Sequence, residues 1–473
     1  MDDLHEVNDL DVTQLSELLH RGELSPVELA TYYLDRIDQH DEHHHAFVTV
    51  TRERALAEAG RAERALAAGE SRGPLHGIPY AAKDLFDVEG VATGAGTHLL
   101  ADAIAGSDAT VIRRLTDAGM VLLGKTHTVQ FAFGGAGVNH DTGSPRNPWR
   151  DDEPYVAGGS SSGSAVAVAA GMAPLALGTD TSGSVRIPAS LCGITGLKTT
   201  VGRVSRSGVY PLSATLDSVG PLAHTAADCA LVYEAMQGAD AGDRATAGQE
   251  PHDVASSIGA DVAGMRLAFI DTFFFDDVDP EIAAAVRAAG DVLAGLGADV
   301  TSIEAPEIDE VVGGPPGRSR TVAAEGCAVN RRFLEGSFAE LDPVVSQRMR
   351  PGFELSAVEF MEAFEAWRRL GGVFDERTTG IDAFLVPSTM IPAKPLAIVD
   401  ETTDAYARWN GQYLRNTSIG NRLEWCGLSV PCGFTTDGLP IGLMIHAPRM
   451  HEQVVICVGD AYQRATDWLL RRP

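Results

Sequence analysis

Residues 157–164 read Ala157-Gly158-Gly159-Ser160-Ser161-Ser162-Gly163-Ser164, and residues 178–187 read Gly178-Thr179-Asp180-Thr181-Ser182-Gly183-Ser184-Val185-Arg186-Ile187. The two Gly/Ser-rich turns lie about 24 residues apart. Between them the small residues Ser164 to Gly171 suit a buried helix, and the apolar run Leu175-Ala176-Leu177-Gly178 suits a buried strand. One helix and one strand return the chain to the same end of a sheet, so both turns meet there. Working outward, Val121-Leu122-Leu123-Gly124 is a second buried strand, and Arg266 to Ile270, Asp299 to Ile303, Ala383 to Val386, Leu428 to Val430 and Ile441 to His446 are further ones. Helices are expected at 280–296 and 356–370, a surface loop at 238–262, and helices through most of 11–70. There Ser25-Pro26-Val27-Glu28 supplies an N-cap, a proline at the first helical position and an acid in the first turn. Alternating strands and helices predict an α/β layered core.

Three chemistries compete for the two turns. A phosphate cradle uses a Gly-rich turn at a helix start, but the P-loop pattern requires Gly-Lys-Ser/Thr where Gly163-Ser164-Ala165 stands. A nucleophile elbow fits Gly159-Ser160-Ser161-Ser162-Gly163 literally, with Ser161 central. It needs a strand before it, where Asp151-Asp152-Glu153-Pro154-Tyr155 is loop-like, and a histidine, for which His224 and His446 carry no marking context. The third chemistry pairs serines with a lysine base held in a dry environment that lowers its pKa. The chain has only four lysines, Lys83, Lys125, Lys198 and Lys394. Lys83 ends the apolar run Gly77-Ile78-Pro79-Tyr80-Ala81-Ala82, whereas Lys125 and Lys198 sit in similar but weaker contexts. A lysine at a strand end is commonly just an ion-paired or snorkelling residue.

The composition narrows the class. The 473 residues are 44% hydrophobic and 22% charged, near globular averages, with a formal net charge of −28. Such a surface repels phosphate backbones and anionic lipid, which argues against nucleic-acid and membrane partners. The six cysteines show no C-x-x-C pair, which points to a reducing compartment without a zinc site. The acidic start lacks a basic n-region and an apolar h-region, so a cytoplasmic protein is expected. Asp41-Glu42-His43-His44-His45 reads as a solvated loop between helices, not a metal site.

The run from Gly158 to Ala189 resembles the signature of the amidase signature family. Gly77-Ile78-Pro79…Lys83-Asp84, Asn147-Pro148-Trp149, Gly193…Gly196-Leu197-Lys198 and Leu216-Asp217-Ser218-Val219-Gly220-Pro221-Leu222 match as well, and Leu428 to Gly442 resembles the closing strands. The resemblance implies an α/β fold: a single large domain with a central twisted mixed β-sheet covered by helices on both faces. Residues 1–70 would pack as a helical segment on a catalytic domain at 71–473. Its signature core spans about 71–225 and its variable substrate region about 240–400, all one folding unit.

The resemblance further implies a Ser–cis-Ser–Lys triad of Ser184 as acyl nucleophile, Ser160 as relay across a cis Gly159–Ser160 peptide, and Lys83 as base. The N–H groups of Thr181, Ser182, Gly183 and Ser184 would form the oxyanion hole. Serine is a poor nucleophile until a base takes its proton, and a desolvated neutral lysine is such a base, giving activity that rises with pH to an alkaline optimum. Ser182 and Ser162 stand where the family frequently has glycine, and Thr199 replaces a common proline. Asp180 and Arg186 read as partners that stabilise the turn, and Ser161 and Ser164 as turn and cap hydroxyls.

The family hydrolyses amide C–N bonds, and the fold does not fix the substrate. Phe131-Ala132-Phe133-Gly134-Gly135-Ala136-Gly137 lies where the family lines its acyl pocket. Phe133, Gly134 and Gly135 are the candidate substrate contacts, and Phe131 and Phe133 suit an apolar or aryl acyl group, with core packing an equal reading of either. Phe273-Phe274-Phe275 and Trp367 are candidates for an entrance. The expected function is hydrolysis of a small carboxamide, releasing ammonia or an amine without cofactor or metal. Alternatives are a carbamate or urea hydrolase with the same triad, the glutamine-hydrolysing chain of a tRNA amidotransferase (its A subunit), and a catalytically silent binding protein. Expected partners are a small-molecule amide and, as a homodimer, a second copy of the chain.

Overall fold

The computed structural model describes residues 4–313 and 320–473. Eleven strands among these residues form one sheet. In chain order they are β1 (Phe47–Val50), β2 (Pro79–Lys83), β3 (Val121–Thr126), β4 (Leu175–Asp180), β5 (Thr195–Lys198), β6 (Ser218–Ala223), β7 (Arg266–Ile270), β8 (Asp299–Ile303), β9 (Ala383–Pro387), β10 (Cys426–Phe434) and β11 (Pro440–Ala447). Their spatial order is β1-β3-β2-β4-β6-β5-β10-β11-β9-β7-β8. β2 runs parallel to both β3 and β4, and β7 is parallel to β8 and β9, while the intervening pairs are antiparallel. The sheet is therefore mixed, with every residue of β2, β3, β4 and β6 buried. Strands buried on both faces read as continuous apolar runs, which is why β3 and β4 were legible.

Helices form where the local chemistry favours them. Ser25 caps Pro26–His44, accepting from the N–H groups of Val27 and Glu28, and the Glu28 side chain closes the capping box. Asp279 with Pro280 starts Pro280–Gly295, and Ser356 with Glu359 caps Ala357–Arg377. The small-residue helix Ser162–Ala169 is buried throughout. A side chain at Gly163 would drive its Cβ to 2.3 Å from the Ala46 carbonyl and 2.4 Å from the His127 nitrogen. Only glycine lets this helix lie so close under the sheet.

Two local expectations need correction. The 11–70 region is not wholly helical, because Phe47–Val50 pairs antiparallel with β3 and forms one end of the sheet. Only the first of its four residues is buried, so the run carries no apolar periodicity to mark it. His43 and His44 belong to the last turn of Pro26–His44, with His45 as its left-handed cap. The first three residues lie outside the described part. The 238–262 region holds only the short turns Arg244–Thr246 and Ala255–Ser257, as a surface loop should. No helix among the described residues is long and apolar enough to cross a membrane.

Candidate active site

β2 and β4 lie side by side and parallel, with Ala81 opposite Ala176 and Ala82 opposite Leu177. Lys83 closes β2 and Thr179 stands two residues beyond Leu177, so both face one end of the sheet. The turn before Ser162–Ala169 delivers Ser160 to the same end. The Gly159–Ser160 peptide is cis, and the Gly159 N–H donates to the Gly135 carbonyl at 2.8 Å. The Lys83 Nζ donates to Ser160 Oγ and to Thr179 Oγ1, both at 2.8 Å, and is fully buried. Loss of water pushes the Lys83 ammonium down to about 7, against the charges of Asp217 and Asp180, which pull it up. Half or more of this lysine is thus neutral from about pH 7 upward.

The other core lysines have structural duties. Lys125 Nζ pairs with Asp84 Oδ1 at 2.6 Å and donates to the Ala92 carbonyl. Lys198 Nζ donates to the carbonyls of Thr199 and Trp425. Only Lys83 of the three meets two hydroxyl groups and no carboxylate. The elbow reading of Ser161 fails on partners, because Ser161 Oγ donates to the Thr179 carbonyl at 3.3 Å. His224 is taken by Arg472, and His446 Nδ1 by the Cys426 carbonyl.

Ser184 sits on the loop between β4 and the helix Arg186–Cys192. Its carbonyl accepts from the Ser161 N–H at 3.2 Å, which ties the two Gly/Ser turns together. Its hydroxyl makes no hydrogen bond to another described residue and lines a cavity of about 520 Å³. The loop is held from below by Asp180. One carboxylate oxygen accepts from the Gly183 N–H (2.8 Å), Arg186 Nη2 (3.0 Å) and Asn421 Nδ2 (2.9 Å); the other accepts from the Val185 N–H and Arg186 Nε, both at 3.1 Å. Arg186 and these bonds hold the Asp180 carboxyl well below the usual carboxylate range despite its burial. The reading of Asp180 and Arg186 as turn partners matches this geometry.

The same contacts correct the expected oxyanion hole at Gly183. Its N–H points to Asp180 and not into the cavity, and the residue adopts φ +129°. A Cβ there would lie 2.1 Å from Thr417 Oγ1, so the turn demands glycine twice over. None of the hydrogen bonds among the described residues takes up the N–H of Thr181, Ser182 or Ser184. Ser182 keeps a negative φ, so the exchange from glycine leaves the backbone in place, and its carbonyl accepts from Thr417 Oγ1 at 2.7 Å. Thr181 Oγ1 donates to Asp217 Oδ1 at 2.5 Å, and Thr199 Oγ1 donates to the Val219 carbonyl.

Phe133 and Gly134 line the cavity as expected. Gly135 stands behind the wall, donating to Asn410 Oδ1 at 2.6 Å. Phe131 is core, stacked on Phe333 at 5.6 Å and Tyr210 at 6.2 Å. Trp367 and Phe274 are buried away from the cavity, Trp367 donating to the Val311 carbonyl. Unforeseen lining comes from the helix Thr403–Arg422, which presents Arg408, Gly411, Gln412, Arg415, Ser418 and Arg422, and from Arg348. The signal was in the sequence, since Arg408, Arg415 and Arg422 recur every seven residues and so share one helical face.

The amidase family model matches residues 28–456. The chain belongs to the amidase family. This amidase is 36% identical over 488 residues to the A subunit of the glutamyl-tRNA(Gln) amidotransferase of Chromohalobacter salexigens, covering 99% of both chains. It is 37% identical over 459 residues to a 2-amino-5-chloromuconic acid deaminase of Comamonas testosteroni, covering 95% of each. The solved peptide amidase of Stenotrophomonas maltophilia superposes with a TM-score of 0.83 at 30% identity, covering 96% of both chains. The amidase is accordingly a hydrolase of amide C–N bonds on a single domain built around the mixed sheet.

Proposed function

We propose that the chain is a free-standing amidase that cleaves a small carboxamide through an acyl-enzyme on Ser184. The observation that carries this reading is Lys83: buried, with no carboxylate within bonding distance of Nζ, its pKa near neutrality and Ser160 Oγ at 2.8 Å. Neutral Lys83 takes the Ser160 hydroxyl proton while Ser160 Oγ takes that of Ser184. Ser184 Oγ then bonds to the amide carbon, and the carbonyl π electrons move to oxygen. The N–H groups of Thr181, Ser182 and Ser184 receive that oxyanion, each such donor being worth about 3–4 kcal/mol in comparable sites. As the C–N bond breaks, the nitrogen takes a proton back from Lys83 through Ser160 and leaves as ammonia or an amine. Water then attacks the Ser184 ester by the same relay, releasing the acid. Thr179 holds the lysine in line through its second hydrogen bond. Carbamates and ureas present the same C–N acyl bond to this machinery.

A second reading is supported by the 36% identity to amidotransferase A subunits over their full length: glutamine hydrolysis feeding ammonia to a partner chain. Release of ammonia from small primary amides by the purified chain, lost in Ser184→Ala, supports the free-standing amidase. Turnover of glutamine alone, or only in a partner's presence, overturns it in favour of the amidotransferase. A protein that turns over nothing and takes no serine-reactive label is the silent scaffold. The six buried free thiols support a reducing, cytoplasmic setting for this amidase.

A further inference from the structure

The cavity in front of Ser184 is lined by four arginines, Arg348, Arg408, Arg415 and Arg422, and by no aspartate or glutamate among the described residues. In a chain of net charge −28 this concentration of positive charge is the reverse of its surroundings. None of the four makes an ion pair with a described carboxylate. Asp276, Asp277 and Asp309 lie near enough to Arg415 to act on its charge, and Asp342 on that of Arg348, but no carboxylate among them bonds to the guanidinium.

The arginines are also under-used as donors. Each guanidinium carries five N–H groups. Arg348 Nη1 donates to the Phe133 carbonyl at 3.1 Å, Arg415 Nη1 to the Asp276 carbonyl at 2.9 Å, and Arg422 Nη1 reaches the Val311 carbonyl at 3.5 Å. Their planes rest on aromatic faces: Arg348 on Phe133 and Tyr406, Arg415 on Phe273, Arg422 on Trp367. Such stacking fixes the fork while leaving its edge N–H groups free to grip a planar anion in bidentate fashion. Burial lowers the Arg422 guanidinium to about 10, with no acid to offset it.

The placement joins this charge to the chemistry. Thr417 Oγ1 bonds the Ser182 carbonyl, and a Cβ at Gly135 would meet Leu414 at 2.8 Å, so the helix touches the Ser184 loop through its 414–417 turn. Arg415 lies within that turn and Arg422 two turns further, about 10 Å along the axis. Arg348 lies beside Phe133 and stacks on Tyr406, near the start of the same helix.

We infer that the acyl part of the substrate carries a carboxylate and no matching ammonium, and that an arginine among Arg348, Arg415 and Arg422 anchors it. The substrate class is the monoamide of a dicarboxylic acid. This rests on the amidase reading above. A cavity rich in arginine and without a lining carboxylate gathers anions and rejects cations, and its low-dielectric walls sharpen the effect. An α-ammonium finds no carboxylate among the described lining residues, so glutamine is expected to be a poorer substrate than its des-amino analogue.

The test compares kcat/KM for the monoamides of succinic, glutaric and adipic acid with neutral primary amides of equal chain length and with L-glutamine. At least one monoamide should exceed its neutral counterpart about tenfold or more, the scale of a charge-assisted bidentate contact, and glutaric monoamide should exceed glutamine. Arg348→Gln, Arg415→Gln and Arg422→Gln should each be measured for the ratio of monoamide to neutral amide. A collapse of the ratio in any of them names the anchor. Equal or better turnover of neutral amides, or a ratio unmoved in all three, overturns the inference. Calorimetric binding of succinate, glutarate and adipate to Ser184→Ala separates the two claims. If no amide is hydrolysed, the amidase reading fails, while diacid binding lost in the arginine variants still upholds the anion site. Absence of diacid binding overturns that site.

Discussion

Lys83 and Lys125 both lie near strand ends in apolar surroundings, and a single neighbour separates their chemistry. Asp84 takes Lys125 into an ion pair, whereas Lys83 meets only hydroxyl groups. Burial then lowers Lys83 to about 7. The active form is the neutral amine, so kcat/KM should climb as pH rises through about 7 and flatten above it, a neutral limb with a plateau in place of a sharply alkaline optimum. Asp217 is the larger of the two charges that favour the ammonium. Asp217→Asn should therefore move the limb below that of the wild type, and a limb that stays or rises contradicts the assignment. The lysine was legible because its strand and the two Gly/Ser turns resemble a family pattern. The second hydroxyl, Thr179, was not: its role exists only because β4 lies beside β2, 96 residues apart in sequence, and no local pattern encodes that pairing.

The loop from Thr181 to Ser184 owes its shape to elements on either side of it. Asp180 holds it from β4, Arg186 from the helix that follows, and Asn421 and Thr417 from the helix Thr403–Arg422. Asp180 and Arg186 are both fully buried, so removing one charge strands the other. Asp180→Asn should cost about 3–5 kcal/mol of stability and release the Gly183 N–H and the loop with it. Thermal or denaturant unfolding monitored alongside activity checks this, and a variant of wild-type stability contradicts it. Sequence reading recovered the Asp180–Arg186 partnership because both residues lie inside the signature. It assigned the Gly183 N–H to the cavity because donors in a turn are visible in sequence and their directions are not. The arginine stripe at 408, 415 and 422 was equally visible as a period. What it faces depends on the helix crossing the signature core, which is long-range information.

At the scale of the molecule, one sheet carries the strands of the signature and those of the later region. β7, β8 and β9 extend it beyond β11. The α/β layering was legible from buried apolar runs, and the mixed sheet from the family resemblance. Among the missed elements were the largely exposed β1, the glycine-broken strands β5 and β6, and the polar helix Thr403–Arg422. Residues 1–70 were expected as a helical segment packed on the catalytic core within one folding unit. They supply β1 and the core side chains Leu15, Leu29, Leu34, Ile37, Ala55 and Ala59. Deleting them should expose this core and abolish soluble expression or cooperative melting. A soluble 71–473 fragment that melts and hydrolyses like the full chain would show that they are dispensable.

The central claim is that buried Lys83 activates Ser184 through Ser160. It is tested most directly by labelling with a serine-reactive fluorophosphonate, read by peptide mass spectrometry across pH, in the wild type, Lys83→Ala and Ser160→Ala. The account predicts a single adduct on Ser184, forming at a rate that rises with pH through about 7 and falls by two orders of magnitude or more in both variants, the usual worth of a positioned base being about 10²–10⁴. An adduct on a different serine, or labelling of Ser184 at the wild-type rate without Lys83, would contradict it.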